Sequence, residues 1–269
     1  MDDITFCTLT TYGYMEFTIN CINSLKKIGI HDKLQVYCTD KISYDKIKPQ
    51  YENTFYIEQD IFDTGKPNNK NGMIVFEDKS RFGKTMILKL LVIYTCLKKS
   101  KYVLFTDGDI FYHKPGFFEY LLNKIGDKNM LVQNDKMDGH VSCGDHLPVC
   151  CAGFMFIKKN NDTLEMFNYE TENTLYRSLF DTSERGGWFD DQLYLRKLKN
   201  VHNDIAKIEI LPSELFPTWY VHMNRGSDID NFRKTWGNKF LLHYNYIKGW
   251  EKKRKMKDQD SWISGDTIK

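Results

Sequence analysis

Two carboxylates separated by one glycine, Asp107-Gly108-Asp109, close the apolar run Val103-Leu104-Phe105-Thr106. Such a run reads as a buried strand, and in an α/β sheet the end of a strand is where ligand-binding groups emerge. Acids placed there could share a hard divalent cation, directly or through water, and the glycine would let a ligand's phosphates come close to the backbone. The chemistry implied is that of a metal-bridged diphosphate. A second acidic centre, Asp190-Asp191-Gln192, follows Gly186 and Gly187 and opens a helical pattern of Leu193, Leu195 and Leu198. Taken alone, it reads as a helix N-cap, where unpaired amides favour negative charge. The densest basic run is Lys248, Lys252, Lys253, Arg254, Lys255 and Lys257, and for most of these a solvated helix face is the simpler reading.

Strands and helices alternate around these groups. Ile4 to Leu9 reads as a strand, Met15 to Ile28 as an amphipathic helix ending at Gly29, and Leu34 to Cys38 as a second strand running out at Asp40. After a polar stretch at 63–72, Phe82, Met86, Leu90, Ile93 and Leu97 recur at helical spacing and lead into the strand that carries the acidic pair. Pro115 stands where a helix over Phe117 to Ile125 begins, and Met130 to Gln133 and Ala152 to Ile157 read as later strands. No internal repeat or Ser/Gly-rich linker interrupts the chain, so one domain over 1–269 is expected. Two halves are expected within it, 1–110 for a nucleotide and 111–269 to complete metal and acceptor sites.

At 269 residues, 41% apolar and 28% charged, the chain has the composition of a globular protein with ample core. A formal charge of +2 argues against a nucleic-acid binder. No 18-residue apolar run appears and Met1-Asp2-Asp3 is acidic, so neither a membrane segment nor a signal peptide is expected and a cytoplasmic setting follows. Seven scattered cysteines are expected to be reduced thiols. His140, Cys143, His146, Cys150 and Cys151 have ligand types suited to zinc, but they lack paired Cys-x-x-Cys knuckles. Gly83-Lys84-Thr85 has the tail of a phosphate loop, yet the position of its first glycine is Asp78, which excludes an ATPase reading.

The order of several short motifs carries more than any one of them. Thr8 to Tyr12, Lys89, Leu104 to Asp109, Ala152-Gly153-Phe154, Asp191-Gln192, Phe216-Pro217 and His243-Tyr244-Asn245 followed by Gly249 and Lys253 occur in sequence. In this the chain resembles the nucleotide-diphospho-sugar transferases, metal-dependent glycosyltransferases of the GT-A fold. It is most similar in pattern to the retaining group that includes galactosyl-, xylosyl- and glycogenin-like transferases. Thr106 departs from the smaller or acidic lead-in of many relatives.

The resemblance implies an α/β, Rossmann-like fold with a mixed central sheet flanked by helices. It implies Mn²⁺ or Mg²⁺ held by Asp109, Asp107 and His243, an imidazole-plus-carboxylate set that suits manganese. The partners implied are a UDP-sugar donor and a glycan or glycoprotein acceptor. Thr10, Thr11, Tyr12 and Asp40 would take the nucleoside, while Lys89, Asp107, Gly153, Asn245, Gly249 and Lys253 would contact the rest of the donor, Lys253 at the diphosphate. Asp191, with Asp190 as its substitute and Gln192 beside it, would act at the donor sugar. Trp219, Tyr220, His222 and Trp250 are candidates for an acceptor platform, with buried core as the alternative fate. A non-catalytic sugar-nucleotide binder on the same scaffold and a carboxylate-dependent phosphohydrolase are the competing classes. No second acidic cluster for paired metals is evident to support the phosphohydrolase.

Overall fold

The computed structural model describes residues 3–57, 79–135, 150–180, 189–219 and 238–263. The opening alternates as its hydrophobic pattern requires, with β1 (Ile4–Thr10), α1 (Met15–Lys27), β2 (Leu34–Cys38), α2 (Lys41–Ile47) and the short β3 (Thr54–Tyr56). The helix α3 (Lys79–Lys99) delivers the chain to β4 (Tyr102–Thr106), and β5 (Ile110–Tyr112) and α4 (Phe117–Ile125) follow. Next come β6 (Met130–Asn134), β7 (Cys150–Lys158), α5 (Asn161–Phe167), α6 (Thr174–Leu179) and α7 (Asp191–Val201). The last described elements are α8 (Asn203–Ala206), β8 (Ile208–Ile210), β9 (Leu241–His243) and α9 (Gly249–Asp258).

Seven strands form one sheet in the order β3-β2-β1-β4-β7-β6-β8. Strands β3, β2, β1 and β4 run parallel, whereas β7 lies antiparallel to both β4 and β6, which makes the sheet mixed. The central strand β4 is buried on both faces, and its apolar run follows from that, whereas the edge strand β3 exposes Phe55 and Tyr56. On one face α3 and α7 pack through Leu90, Ile93, Leu97, Leu195 and Leu198. On the other, α1 and α4 pack through Ile22, Leu25, Phe117 and Leu121.

A separate two-stranded ribbon pairs β5 with β9, with Ile110 opposite His243. The apolar run into His243 reads as extended from the sequence, but β5 and its pairing with β9 do not, because three residues are too short to show a periodicity. The ribbon rests on a small cluster of Phe17, Phe111, Trp219, Leu242, Tyr244 and Met256. Trp219 is therefore core, stacked on Tyr244 at 5.4 Å and 19°, and not an exposed platform. Beyond α9 the chain is clamped to α1, because Asn20 donates to the Ser261 carbonyl and accepts from the Ile263 amide, each at 2.8 Å.

Other differences from the sequence reading have local causes. Gly116, at φ 94, caps α4, so Pro115 lies just outside the helix. Cys150 and Cys151 are buried residues of β7, which starts two residues before the Ala152 read from the sequence. His140, Cys143 and His146, the Gly186-Gly187 turn, the stretch 63–72, and Tyr220 and His222 lie outside the described residues.

Candidate active site

Strand β4 ends at Thr106, and the turn after it places Asp107 and Asp109 at the carboxyl edge of the parallel strands. The Asp107 amide donates to the Gly153 carbonyl at 2.7 Å, tying the turn to β7. Gly108 is required by packing rather than by a ligand. A Cβ there would lie 2.3 Å from Thr18 Oγ1 and 3.3 Å from the Thr18 Cα, inside helix α1. The β5/β9 ribbon then brings a distant residue alongside: the Tyr244 amide donates to the Asp109 carbonyl at 3.1 Å, and His243 stands next to the acids.

His243 Nε2 lies 3.2 Å from Asp109 Oδ1 and 3.7 Å from Asp107 Oδ2. The other face of the ring fixes its tautomer. Gln133 Nε2 donates to the carbonyls of Phe216 and Pro217 at 3.0 and 2.9 Å, so its Oε1 is the atom that meets His243 Nδ1, at 3.0 Å. A carbonyl oxygen only accepts, hence the proton of the neutral ring sits on Nδ1 and the Nε2 lone pair faces the carboxylates. In that tautomer Nε2 is free to act as a ligand towards a cation shared with the two acids. One ligand atom each from Asp107, Asp109 and His243 lie within 4.8 Å of one another, a donor set of oxygen and imidazole nitrogen that suits Mn²⁺ or Mg²⁺. The orienting amide behind the imidazole is the outer support such ligands usually have.

Two buried lysines flank the triad. Lys252, 3% exposed, donates to Asp109 Oδ2. Lys89, also 3% exposed, lies 3.2 Å from Asp107 Oδ1 and 2.8 Å from Asp191 Oδ2. Burial raises the Asp109 pKa, but the Lys252 ammonium opposes it and the carboxyl is held well below the usual range. At Asp107 burial prevails over the Lys89 ammonium, and the carboxyl is shifted upward. Burial lowers the pKa of both lysines, yet Asp107 and Asp191 at Lys89, and Asp109 at Lys252, raise them above their ordinary value. Three carboxyl groups (Asp107, Asp109, Asp191) stand against two ammoniums (Lys89, Lys252), and a divalent cation here would offset their negative charge and favour a diphosphate.

These groups line a cavity of about 510 Å³, the size of a small-ligand site. Gly153 is part of its floor. A Cβ there would fall 2.1 Å from His243 Cε1 and 2.8 Å from Asp107 Oδ2, so only glycine leaves both ligands in place. Gly153→Ala is accordingly expected to weaken manganese binding by about 10–100-fold, read by calorimetric titration. An unchanged affinity would show that these two side chains are not jointly engaged.

Of the other sequence-derived candidates, Asp191, Gln192, Asn245 and Thr11 line the cavity, and the Thr11 hydroxyl is buried without a hydrogen-bond partner among the described residues. Asp190 also borders it, but its Oδ1 accepts from the amides of Gln192 and Leu193, each at 3.0 Å, as the N-cap of α7. Thr10 is a correction: it is buried, and its hydroxyl accepts from Thr18 Oγ1 at 2.8 Å, so it holds β1 to α1. Asp40 is another, capping α2 through Ser43 and accepting from the Tyr12 amide at 2.7 Å, which braces the first βα turn from behind. Tyr12 is partly exposed at that turn, with Lys46 Nζ 5.2 Å from its ring centre. Gly249 is the first residue of α9 and lies outside the cavity lining, as does Lys253, whose ammonium meets Glu16 Oε2 at 2.6 Å. Lys252 occupies the place expected of Lys253.

Sequence reasoning named Lys252 in the basic run but preferred Lys253, and it missed Tyr14, Arg196, Tyr246 and above all Asp135. Asp135 is 5% exposed at the end of β6 and accepts from Gln192 Nε2 (2.8 Å), Asn245 Nδ2 (2.7 Å) and the Tyr246 hydroxyl (2.5 Å). Burial shifts its carboxyl upward against these donors. No motif marks it, because its role comes from three partners remote in sequence.

A mixed sheet that gathers this constellation at the ends of its parallel strands belongs to the GT-A class of folds. The chain is a member of the nucleotide-diphospho-sugar transferase family, whose model matches residues 29–258. It is 24% identical over 272 residues to a UDP-galactose:fucoside alpha-3-galactosyltransferase of Dictyostelium discoideum, covering 91% of this chain and 41% of that protein. The chain thus spans about two fifths of that relative's length. Its fold is similar to the galactosyltransferase LgtC, solved with donor and acceptor sugar analogues, at TM-score 0.57 and 12% identity over 97% of this chain and 96% of that one. It is also similar to mouse xyloside xylosyltransferase 1, at TM-score 0.56 and 12% identity over 91% of this chain and 98% of that one.

Proposed function

We propose that the protein transfers a sugar from a UDP-sugar, galactose being the first to test, to a hydroxyl of a glycan or glycoprotein with retention of configuration. The observation that carries the proposal is the convergence of Asp107, Asp109 and the His243 lone pair within 4.8 Å, beside a buried lysine. Mn²⁺ or Mg²⁺ held by those three residues would neutralise charge on the departing diphosphate. Lys252 adds a fixed positive charge at the same place, useful where negative charge grows as the glycosidic bond breaks. Thr11, Tyr12 and Tyr14 at the first βα turn suit the nucleoside, with uracil the base expected from the family.

Asp191, held by Lys89, offers a carboxylate to sugar hydroxyls or to oxocarbenium-like charge. Gln192 donates from Nε2 to Asp135 and, at 2.6 Å, to the Tyr246 hydroxyl. Its Oε1 accepts nothing among the described residues and is left for a sugar hydroxyl. For a retaining transfer two routes are open: the departing phosphate oxygen takes the acceptor proton on the same face, with no separate base, or Asp190 or Asp191 carries a double displacement. No helix among the described residues is long and apolar enough to cross a membrane. The described cysteines, buried and free, support a reducing, cytoplasmic setting.

The test is UDP release from a panel of UDP-sugars with manganese, followed by proton NMR of the product's anomeric coupling. Release with one UDP-hexose, stimulated by a glycoside, is expected. Cleavage of simple phosphate esters with indifference to the sugar would contradict the proposal.

A further inference from the structure

Tyr246 follows the metal-binding strand β9 by three residues, lines the cavity, and is 64% exposed. Its backbone is left-handed, with φ at 56°, a conformation that costs a tyrosine free energy and is kept only where the surroundings enforce it. The enforcing contacts are plain. Asn245 is tied to Asp135 at 2.7 Å, and the Tyr246 hydroxyl donates to Asp135 at 2.5 Å and accepts from Gln192 Nε2 at 2.6 Å. The polar end of the side chain is thus fixed in the site while the residue as a whole stays exposed on the cavity wall.

Granting the transferase reading, we infer that the Tyr246 ring is the platform on which the acceptor's pyranose ring lies, its apolar C–H face against the aromatic face, so that Tyr246 determines acceptor specificity. The donor sugar falls among buried groups, Lys89 and Asp191 being 3% and 7% exposed. An acceptor has to approach that sugar from the solvent side, over the exposed part of the cavity lining. Tyr246 also contacts Gln192, so a sugar stacked on the ring is held next to the residue that faces the donor sugar. A rigid aromatic with one anchored end loses little side-chain freedom when a sugar covers it.

The test separates ring from hydroxyl. Tyr246→Phe and Tyr246→Ala both lose the hydroxyl and share any effect on Gln192; only the alanine loses the platform. The wild type and both variants are saturated with UDP and Mg²⁺, then titrated by saturation-transfer NMR with methyl fucoside, methyl galactoside and methyl glucoside, with glycerol as an acyclic control. At least one pyranoside is expected to bind the wild type and Tyr246→Phe within about threefold of each other, and Tyr246→Ala about tenfold more weakly, the scale of one aromatic contact. Glycerol is expected not to distinguish them. Equal pyranoside affinity in Tyr246→Ala and Tyr246→Phe, or no pyranoside binding to a UDP complex that has formed, overturns the platform. Failure to bind UDP with the metal would instead overturn the transferase reading on which it rests.

Discussion

Asp109→Asn is expected to lower turnover of the sugar nucleotide by about a thousandfold at fixed manganese, because a cation's stabilisation of a leaving diphosphate is worth several kcal/mol and each decade of rate is about 1.4 kcal/mol. Asparagine keeps the shape of the side chain and removes its charge. Three consequences follow from the contacts. The triad loses the carboxylate nearest His243, at 3.2 Å. Lys252 loses its buried counter-charge. The charge balance of the cavity also moves one unit positive before any metal enters. Without metal, the variant is therefore expected to melt below the wild type, since an uncompensated buried charge costs about 3–5 kcal/mol when its partner is removed outright and less when a hydrogen-bonding amide remains. UDP release and thermal melting measured on the same preparation check both effects. Wild-type turnover in Asp109→Asn would mean that Asp109 is not part of the chemistry.

Lys252→Met and Lys253→Met are expected to differ by about 30- to 1,000-fold in turnover, although the two lysines are adjacent. Lys252 lies against Asp109 within the cavity, so its loss is expected to cut turnover by about 10²–10³, the scale of one preorganised charge-stabilising group. Lys253 meets Glu16 at the surface, a pair worth about 0–1 kcal/mol, and its replacement is expected to change turnover less than about threefold. Methionine preserves most of the buried stem of Lys252 and leaves Asp109 without its lysine. Manganese is then expected to raise the melting temperature of Lys252→Met more steeply than that of the wild type, because the cation supplies the missing positive charge and binds only the folded state. Loss of turnover in Lys253→Met with retention in Lys252→Met would reverse the assignment.

That pair of lysines shows where the sequence can be read and where it misleads. A run of basic residues has no visible face until one apolar residue marks it. In α9 that residue is Met256, fully buried, and Lys252 lies one turn before it on the same side. Lys253 is rotated away towards Glu16. Counting back four from Met256 finds the right lysine; counting forward from His243 finds its neighbour.

The βαβ opening, α3 and β4 were legible because long stretches repeat with one period and end at capping or turn residues. The acidic pair was legible because it ends a strand. The β5/β9 ribbon was not, since three residues carry no period, and with it went the reason Asp109 and His243 meet. Glycines were legible as positions but not as causes: Gly108 makes room for Thr18, and Gly153 for His243 and Asp107. Asp40 and Thr10 stood at plausible strand ends, yet their polar atoms are engaged by Ser43, the Tyr12 amide and Thr18. Asp135 could be found only once the sheet had brought Gln192, Asn245 and Tyr246 around it.

Manganese binding by the wild type and by His243→Ala, titrated calorimetrically without nucleotide, tests most directly whether one cation is shared by residues from β9 and the β4–β5 turn. One ion per wild-type molecule is predicted, with affinity at least about tenfold weaker in the variant, since even indirect supports of a metal ligand are worth that much. Equal binding in the two proteins, or none in the wild type, would contradict the shared site.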